Sequence, residues 1–355
     1  MLISDLVRDV YIGMTDSMMN DDHLKQLLVY YDIGSLSSDP IEIFGSRGGS
    51  RIWKVTNANS SYAIKQLSSD LDCSSPQVIK KYELTETLAE RFKSLGIPAV
   101  SAMAKDNRYL IALGQQGYLL YPWVEGKTLS RYEVSLSHAN TIAKILAKIH
   151  GMKIELPNLR QLRFDRHSSE SLNTLFTQVI KQQLPYAHAL CQLQAQIHEA
   201  NQAYHSVIPL LEKDTVLTHG DLDQMNVIWS KDNQPSIVDW ETVRYINQTR
   251  DVIRTCLSWS GFGGDDFSFD HYQSMINHYL NFGGRLNLAH VRSALISVYG
   301  SMIHWLTYNM QLSIGESSCK KKARCIEEIF MTLKAFSVLN KSFPDLIRLT
   351  GEGYA

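Results

Sequence analysis

The 355-residue chain is short of several features that would assign it to a compartment or a class at once. It has five cysteines, at positions 73, 191, 256, 319 and 325, and no two of them stand as C-x-x-C. An odd, scattered set without metal-ligand spacing argues against a disulfide scaffold or a cysteine-built zinc site, and predicts reduced thiols and a cytoplasmic setting. Net charge is also nearly absent, at −1. No basic field would draw the chain to nucleic acid, and no acidic tail would repel it. No window approaches about 18 uninterrupted apolar residues, so no transmembrane helix and no membrane partner are expected. The first nine residues carry Asp5 and Asp9, where a signal peptide needs an unbroken apolar stretch. Internal repeats and low-complexity runs are missing too.

What remains is the composition of a soluble globular protein, 44% hydrophobic and 20% charged, long enough for two lobes that each bury a core. Residues 1–31 read as one or two helices, with Asp21 and Asp22 at a capped start. From 41 to 67 the pattern changes to short β runs, at 41–44, 51–56 and 61–67, separated by a Gly-rich turn and an Asn/Ser turn. Residues 76–95 form a helix, with Pro76 in its first turn, apolar positions at Ile79, Tyr82, Ala89 and Phe92, and Gly96 as the stop. Two more β runs follow at 108–113 and 117–121. Beyond Pro122-Trp123-Val124-Glu125-Gly126 almost everything is helical: 137–150, about 168–211, 247–260, 289–309 and 320–339. One β island, 215–240, interrupts them.

The chemistry lies in that island. Thr215 to Thr218 is a β run ending at His219-Gly220-Asp221, and Asn226 stands five residues after Asp221. Residues 226–230 and 235–239 read as a hairpin around Lys231-Asp232-Asn233-Gln234. With a four-residue loop Asn226 opposes Asp239, and opposed residues share a face. An amide oxygen beside a carboxylate makes a reasonable Mg²⁺ site, with water and phosphate completing the octahedron. Asp221 then suits the base that orients and deprotonates a hydroxyl. The cation for the phosphates is Lys65, in Tyr62-Ala63-Ile64-Lys65, where alternation puts small Ala63 and Lys65 on one face. On the following helix Glu86 is the expected partner of Lys65, because Tyr82 and Ala89 flank it at helical spacing; Glu83 is second. Gly48, Gly49 and Ser50 join two β runs as a phosphate-covering loop should, although a full G-x-G-x-x-G is missing.

His219-Gly220-Asp221 with Asn226, followed by Ile237-Val238-Asp239-Trp240-Glu241, resembles the aminoglycoside phosphotransferase and choline kinase family. The likeness runs from about residue 41 to 259. It implies an α+β, protein-kinase-like two-lobed fold, with a β-rich lobe at 1–121, a hinge at 122–126, and a helical lobe at 127–355. That last lobe would hold a catalytic loop at 219–226 and a metal-binding hairpin at 226–239. It also implies ATP and Mg²⁺ as cofactors and a small-molecule acceptor (an aminoglycoside, an amino alcohol such as choline, or a sugar-like compound). The adenine is expected at the carbonyl of Pro122 and the amide of Val124. Ile145 to His150 is similar to the family helix that ends in Leu-x-x-x-His. The family often has His-Pro-Gly where this chain has Asp223-Gln224-Met225, so Asp223 adds a carboxylate that metal or substrate can use. Glu241, Asp265 and Asp266 are further acceptor-side candidates. Two rival readings are an atypical protein kinase and a nucleotide-binding regulator without turnover. Against the first, Asp239 to Asp251 leaves no room for a long activation loop and no Ala-Pro-Glu is present. Against the second, the Lys-Asp-Asn-Asp set is intact.

Overall fold

The computed structural model describes residues 19–45, 49–152, 154, 156, 159, 162–264, 267–315 and 318–352. The chain divides into two compact units, Met1–Lys127 with Ile228–Glu241, and Thr128–Val227 with Thr242–Ala355. The first break lies at the end of the expected hinge. The hairpin, placed by the sequence in the helical part, is counted with the first unit.

The first unit is a five-stranded antiparallel sheet in the order β1-β2-β3-β5-β4, formed by β1 (Ile41–Gly45), β2 (Arg51–Thr56), β3 (Ser61–Gln66), β4 (Ile111–Leu113) and β5 (Gln116–Pro122). Strand alternation gives it two faces. Trp53, Val55, Ile64, Tyr118 and Leu120 point to one, where α1 (Asp21–Tyr30) covers them with Leu27. The other face carries Leu119, and α2 (Pro76–Ser94) packs there through Tyr82. The buried positions of α2 are Tyr82, Thr85, Glu86, Leu88, Ala89 and Phe92, a single stripe at helical spacing. Proline in the first turn and Gly96, at φ 77°, bound this helix as the sequence predicts.

The strands β7 (Val227–Trp229) and β8 (Pro235–Ile237) form a small ribbon. Lys127 and Trp229 exchange backbone bonds of 3.0 and 2.8 Å, and Ile237 bonds Pro98 O and Val100 N at 2.7 and 2.8 Å. These bonds fasten the ribbon to the first unit. Its turn differs from the expected one. Ser230 N–H donates to Gln234 O at 3.0 Å, so three residues, Lys231 to Asn233, form the loop, and Asn233 takes φ 55°. Counting strictly from that pair sets Asn226 against Val238 rather than Asp239, because a one-residue slip reverses the face. Neither residue is in a strand: Asn226 ends a 3₁₀ turn and Asp239 sits at φ 64°. The hairpin register is therefore not what positions them.

The second unit holds α3 (Leu136–His150), α4 (Ser169–Lys181), α5 (Ala187–Leu211), α6 (Gln248–Trp259), α7 (Phe269–Asn281), α8 (Leu288–Gly315) and α9 (Cys319–Glu352), with a two-stranded sheet of β6 (Thr215–Thr218) and β9 (Arg244–Asn247). The single long helix expected at 168–211 is broken. Gln183 takes φ 49° and Pro185 follows, which biases the residue before it away from helix. α7 falls in a stretch to which the sequence assigns no helix bounds, and α9 runs on past Pro344. Among the described residues no helix is long and apolar enough to cross a membrane. All five cysteines are free.

One buried carboxylate ties four of these elements. Asp251 Oδ2, on α6, accepts from Thr218 Oγ1 at the end of β6 (2.8 Å) and pairs with His150 Nε2 at the end of α3 (3.1 Å). His150 Nδ1 is 2.9 Å from Tyr279 OH on α7. Burial alone would raise the Asp251 pKa, but the His150 and Thr218 hydrogen bonds outweigh it and hold the group below the ordinary aspartate range. A carboxyl whose folded pKa is depressed contributes stability that is full above its unfolded value of about 4 and is lost as pH falls through the folded value. Asp251→Asn is expected to cost about 3 kcal/mol at neutral pH and to flatten the acid limb. Urea midpoints measured from neutral to acid pH check this, and equal acid slopes in both proteins would refute it. A second expectation concerns Gly300, inside α8, where a Cβ would lie 2.3 Å from the Tyr204 ring. In an open helix Gly→Ala gains about 1 kcal/mol. Here overpacking dominates, and Gly300→Ala is expected to lower stability by about 1–3 kcal/mol, read as a lower urea midpoint at unchanged slope.

Candidate active site

The first unit positions a buried cation. Lys65 and Ala63 share the α2 face of β3, pairing with Leu119 and Tyr121 of β5. Lys65 is only 7% exposed, and its Nζ donates to Asp239 Oδ1 at 2.7 Å and Glu241 Oε2 at 3.1 Å. Burial pulls the lysine pKa down, but the two carboxylates outweigh it and hold the ammonium above its usual range. Tyr82 OH, on α2, donates to the same Glu241 oxygen at 3.2 Å. Trp240, between the two acids, is buried, stacks on Phe92 of α2 with centroids 4.9 Å apart, and donates its indole N–H to Ile237 O. It packs, and so does Trp259, which is wholly buried.

The expected Lys65–Glu86 pair is not formed. Glu86 accepts from Ala102 N–H and Tyr121 OH, each at 2.7 Å, and Glu83 accepts from the N–H groups of Tyr109 and Leu110. Burial pushes the Glu86 carboxyl up, and Ala102, Tyr121 and Lys65 only partly bring it back. With both oxygens engaged by neutral donors, Glu86 organises the α2 face while Asp239 and Glu241 neutralise the lysine. Glu241 is thus a partner of Lys65 rather than of an acceptor.

In the expected hinge, Val124 is half-buried and its N–H enters no backbone hydrogen bond among the described residues. Pro122 ends β5 opposite Tyr62. The segment is braced by Lys54, whose ammonium lies 4.2 Å from the Trp123 ring and 3.7 Å from Glu125. In the Gly-rich turn Gly49 takes φ 82°, and a Cβ there would fall 2.8 Å from Ser68 Oγ. Ser50 is buried. Gly48, Asp265 and Asp266 lie outside the described residues.

The second unit holds the loop. Asp221 Oδ1 accepts from Arg254 Nη2 at 2.8 Å, and Asn226 Nδ2 donates to Asp221 O at 2.7 Å and Oδ2 at 3.2 Å. Arg254 Nη1 also donates to Gly220 O at 2.9 Å. Gly220, at φ 83°, passes so close to Thr242 that a Cβ would meet its carbonyl oxygen at 2.4 Å. His219 is fully buried, with its carbonyl accepting from Thr242 Oγ1, so it serves the loop backbone. Asp223 caps the 3₁₀ turn by accepting from Met225 N–H.

The template for this loop is α6. Asp251 holds Thr218, Arg254 holds Gly220 and Asp221, Ser258 and Gln224 bond side chain to side chain and side chain to backbone, and Trp259 Nε1 donates to Leu222 O at 2.9 Å. The four anchors fall at i, i+3, i+7 and i+8, one face of a helix, and take loop residues 218–224 nearly in order. Sequence reasoning missed Arg254. The signal was there: a polar stripe on a helix that follows the motif.

No group of three or more His, Cys, Asp or Glu side chains able to hold a metal exists among the described residues. Magnesium does not need one, since it keeps waters and phosphate oxygens and takes only one or two protein oxygens. Asn226 uses its amide nitrogen on Asp221 and Asp239 uses Oδ1 on Lys65, so each retains a ligating oxygen without a hydrogen bond among the described residues. The donor chemistry fits.

A sequence profile of the phosphotransferase enzyme family matches residues 44–274. No curated protein sequence matches the chain. Among solved structures, a spectinomycin phosphotransferase in complex with ADP and spectinomycin is similar at a TM-score of 0.66 and 14% identity, covering 91% of this chain and 99% of that one. A microcompartment-associated aminopropanol kinase gives 0.63 and 13%, over 93% and 100%. A choline kinase from Streptococcus pneumoniae gives 0.55 and 17%, over 89% and 99%. At such identity these likenesses establish a shared fold, the kinase-like α+β fold. The family match spans more than half of the sequence and contains every anchored residue above, from Lys65 to Trp259, and so the chain belongs to the phosphotransferase enzyme family.

Proposed function

We propose that this protein transfers the γ-phosphoryl group of ATP to a hydroxyl of a small molecule. The observation that carries the reading is Asp221. Its carboxylate is partly exposed yet gripped from two sides, by Arg254 and Asn226, in a loop within the family match. A carboxylate so fixed accepts the proton of the attacking hydroxyl without having to find its orientation. The acceptor oxygen bonds to the γ-phosphorus, its proton passes to Asp221, and the bond from the γ-phosphorus to the bridging oxygen breaks to leave ADP. Lys65 is assigned to the non-transferred phosphates, steadied by Asp239 and Glu241. Ala63, Pro122 and Val124 are assigned to the adenine, and Gly48, Gly49 and Ser50 to covering the phosphates. Asn226 and Asp239 would hold Mg²⁺, which neutralises phosphate charge when bound. Neighbours of the same fold include structures with bound ADP and AMP, which supports nucleotide use. Between Asp239 and Asp251 the chain goes through a 3₁₀ turn and β9 straight into α6, which supports a small-molecule rather than a protein acceptor.

Asp221→Asn is expected to lower kcat by about 10²–10⁴-fold with little change in KM for ATP. Lys65→Met should instead lower kcat/KM for ATP by about 10²-fold or more. Coupled ADP-release assays with Mg²⁺ check both. ATP consumption by Asp221→Ala as fast as by the wild type, with a true acceptor, would remove Asp221 from its role.

A further inference from the structure

The second unit has an open, mainly apolar pocket of about 300 Å³, with Phe262, Met302 and Trp305 in its lining, into which Arg131, Arg250, Arg254 and Glu328 bring the charged groups. That volume is roughly ten times a water's share of the liquid and suits a compact ligand. Arg254 joins the cavity to the catalytic loop, since it lines the cavity and its guanidinium holds Gly220 O and Asp221 Oδ1.

The wall has an unbalanced charge. Arg250 is 7% exposed, and among the described residues its guanidinium bonds two neutral hydroxyls, Ser297 Oγ at 3.1 Å and Ser301 Oγ at 3.4 Å, both of which line the cavity, and lies 5.5 Å from the Phe164 ring. Among the described residues no carboxylate lies within 4.0 Å of the Arg250 or Arg131 guanidinium. Asp251, next to Arg250 in sequence, is committed to His150 and Thr218. Glu328 accepts from the Trp305 indole at 3.2 Å. A buried guanidinium held by neutral groups bears the cost of desolvation with little Coulomb return. Burial and the like charge of Arg254 pull Arg250 down to about 10, which marks the same deficit. Arginine is also the side chain whose planar fork matches a carboxylate or phosphate.

We propose that this cavity is the acceptor site and that the acceptor is a compact hydroxylated anion, its carboxylate or phosphate held by Arg250 and Arg131 and its hydroxyl directed to Asp221. The assignment rests on the phosphotransfer reading above. It sets this chain apart from a kinase for a cationic amino alcohol, because a quaternary ammonium would meet two guanidiniums with no acid of their own.

The test uses the full chain with ATP and Mg²⁺ in an ADP-release assay. Glycerate and lactate form a carboxylate arm, glycerol 3-phosphate a phosphate arm, and ethanolamine, choline and spectinomycin a cationic arm. Turnover is expected in the anionic arms only, and whichever of the two is faster identifies the anion. Arg250→Gln and Arg131→Gln should each raise KM for that acceptor about tenfold or more while KM for ATP stays within about twofold. A cationic compound with a higher kcat/KM than every anionic one would overturn the proposal. So would Arg131→Gln, partly exposed and therefore unlike Arg250 in its demand on folding, leaving the acceptor KM unaltered. If no compound is turned over, thermal midpoints decide. Glycerate or glycerol 3-phosphate at about 10 mM should raise the wild-type midpoint by about 2 °C or more, and Arg131→Gln should abolish the rise; no rise with either anion refutes the site. ATP–Mg²⁺ in the same experiment reports separately on the first reading. A wild type that ATP does not stabilise, or a Lys65→Met variant stabilised equally, counts against phosphotransfer and leaves the anion result to stand alone.

Discussion

A lysine ammonium buried under the α2 face of the sheet has to be neutralised, and much of the first unit follows from how this is done. Leaving Lys65 unpaired would cost several kcal/mol, on the order of 3–5 for a buried charge that loses its partner. The neighbouring glutamates of α2 do not serve, because Glu86 and Glu83 are engaged by backbone N–H groups and a tyrosine. The neutralising carboxylates come from positions 174 and 176 residues further along the chain. That requirement draws the segment after β8 back to the sheet, where Trp240 stacks on Phe92 and Ile237 hydrogen-bonds to the strand-like backbone at Pro98 and Val100. The discontinuous makeup of the first unit is the consequence. A non-local closure of this kind carries an entropy cost that grows only slowly with loop length, and the buried ion cluster, the aromatic stack and the backbone bonds of Trp229 and Ile237 together oppose it.

The second unit solves a comparable problem with a helix face. A loop that must present an aspartate cannot rely on strand pairing, and residues 219–223 have none. α6 substitutes for a strand by offering anchors at regular helical spacing. Asp251 and Arg254 are one turn apart and of opposite charge. The first is turned to the buried His150 and Thr218, and the second to Gly220 and Asp221. Rigidity passes from the packed helices through α6 to the loop, which is how a carboxylate can be partly exposed and still fixed.

Much of this was legible in the sequence because it is local. The β-β-β-α-β-β order, the shared face of Ala63 and Lys65, the Pro76 start and Gly96 end of α2, and the His219 to Asn226 loop all depend on alternation, capping or spacing within about twenty residues. What was missed depends on competition for partners. Helical spacing places Glu86 toward the sheet correctly, but it cannot show that Tyr121 and Ala102 N–H take both its oxygens. The hairpin count fails by one residue because Asn233 adopts φ 55° and closes a three-residue turn. The break between α4 and α5 is carried by Pro185, visible in the sequence but overridden there by the apolar periodicity on both sides.

The charge of the cavity shows the same limit from the other side. Its arginines reach it from a 3₁₀ turn before α3 and from α6, and its one glutamate from α9. No window of sequence contains that set, and the net charge of −1 averages it away. The folded chain concentrates two guanidiniums with no carboxylate within 4.0 Å, among the described residues, beside the loop that bears Asp221. A buried guanidinium bonded to neutral hydroxyls carries a desolvation cost. Replacing Arg250 by a neutral residue of similar shape would relieve that desolvation cost, which is the cost an anionic acceptor would offset. The cost and the recognition are thus the same interaction, and an anion that completes the ion pair also brings its hydroxyl into the reach of the carboxylate that Arg254 holds.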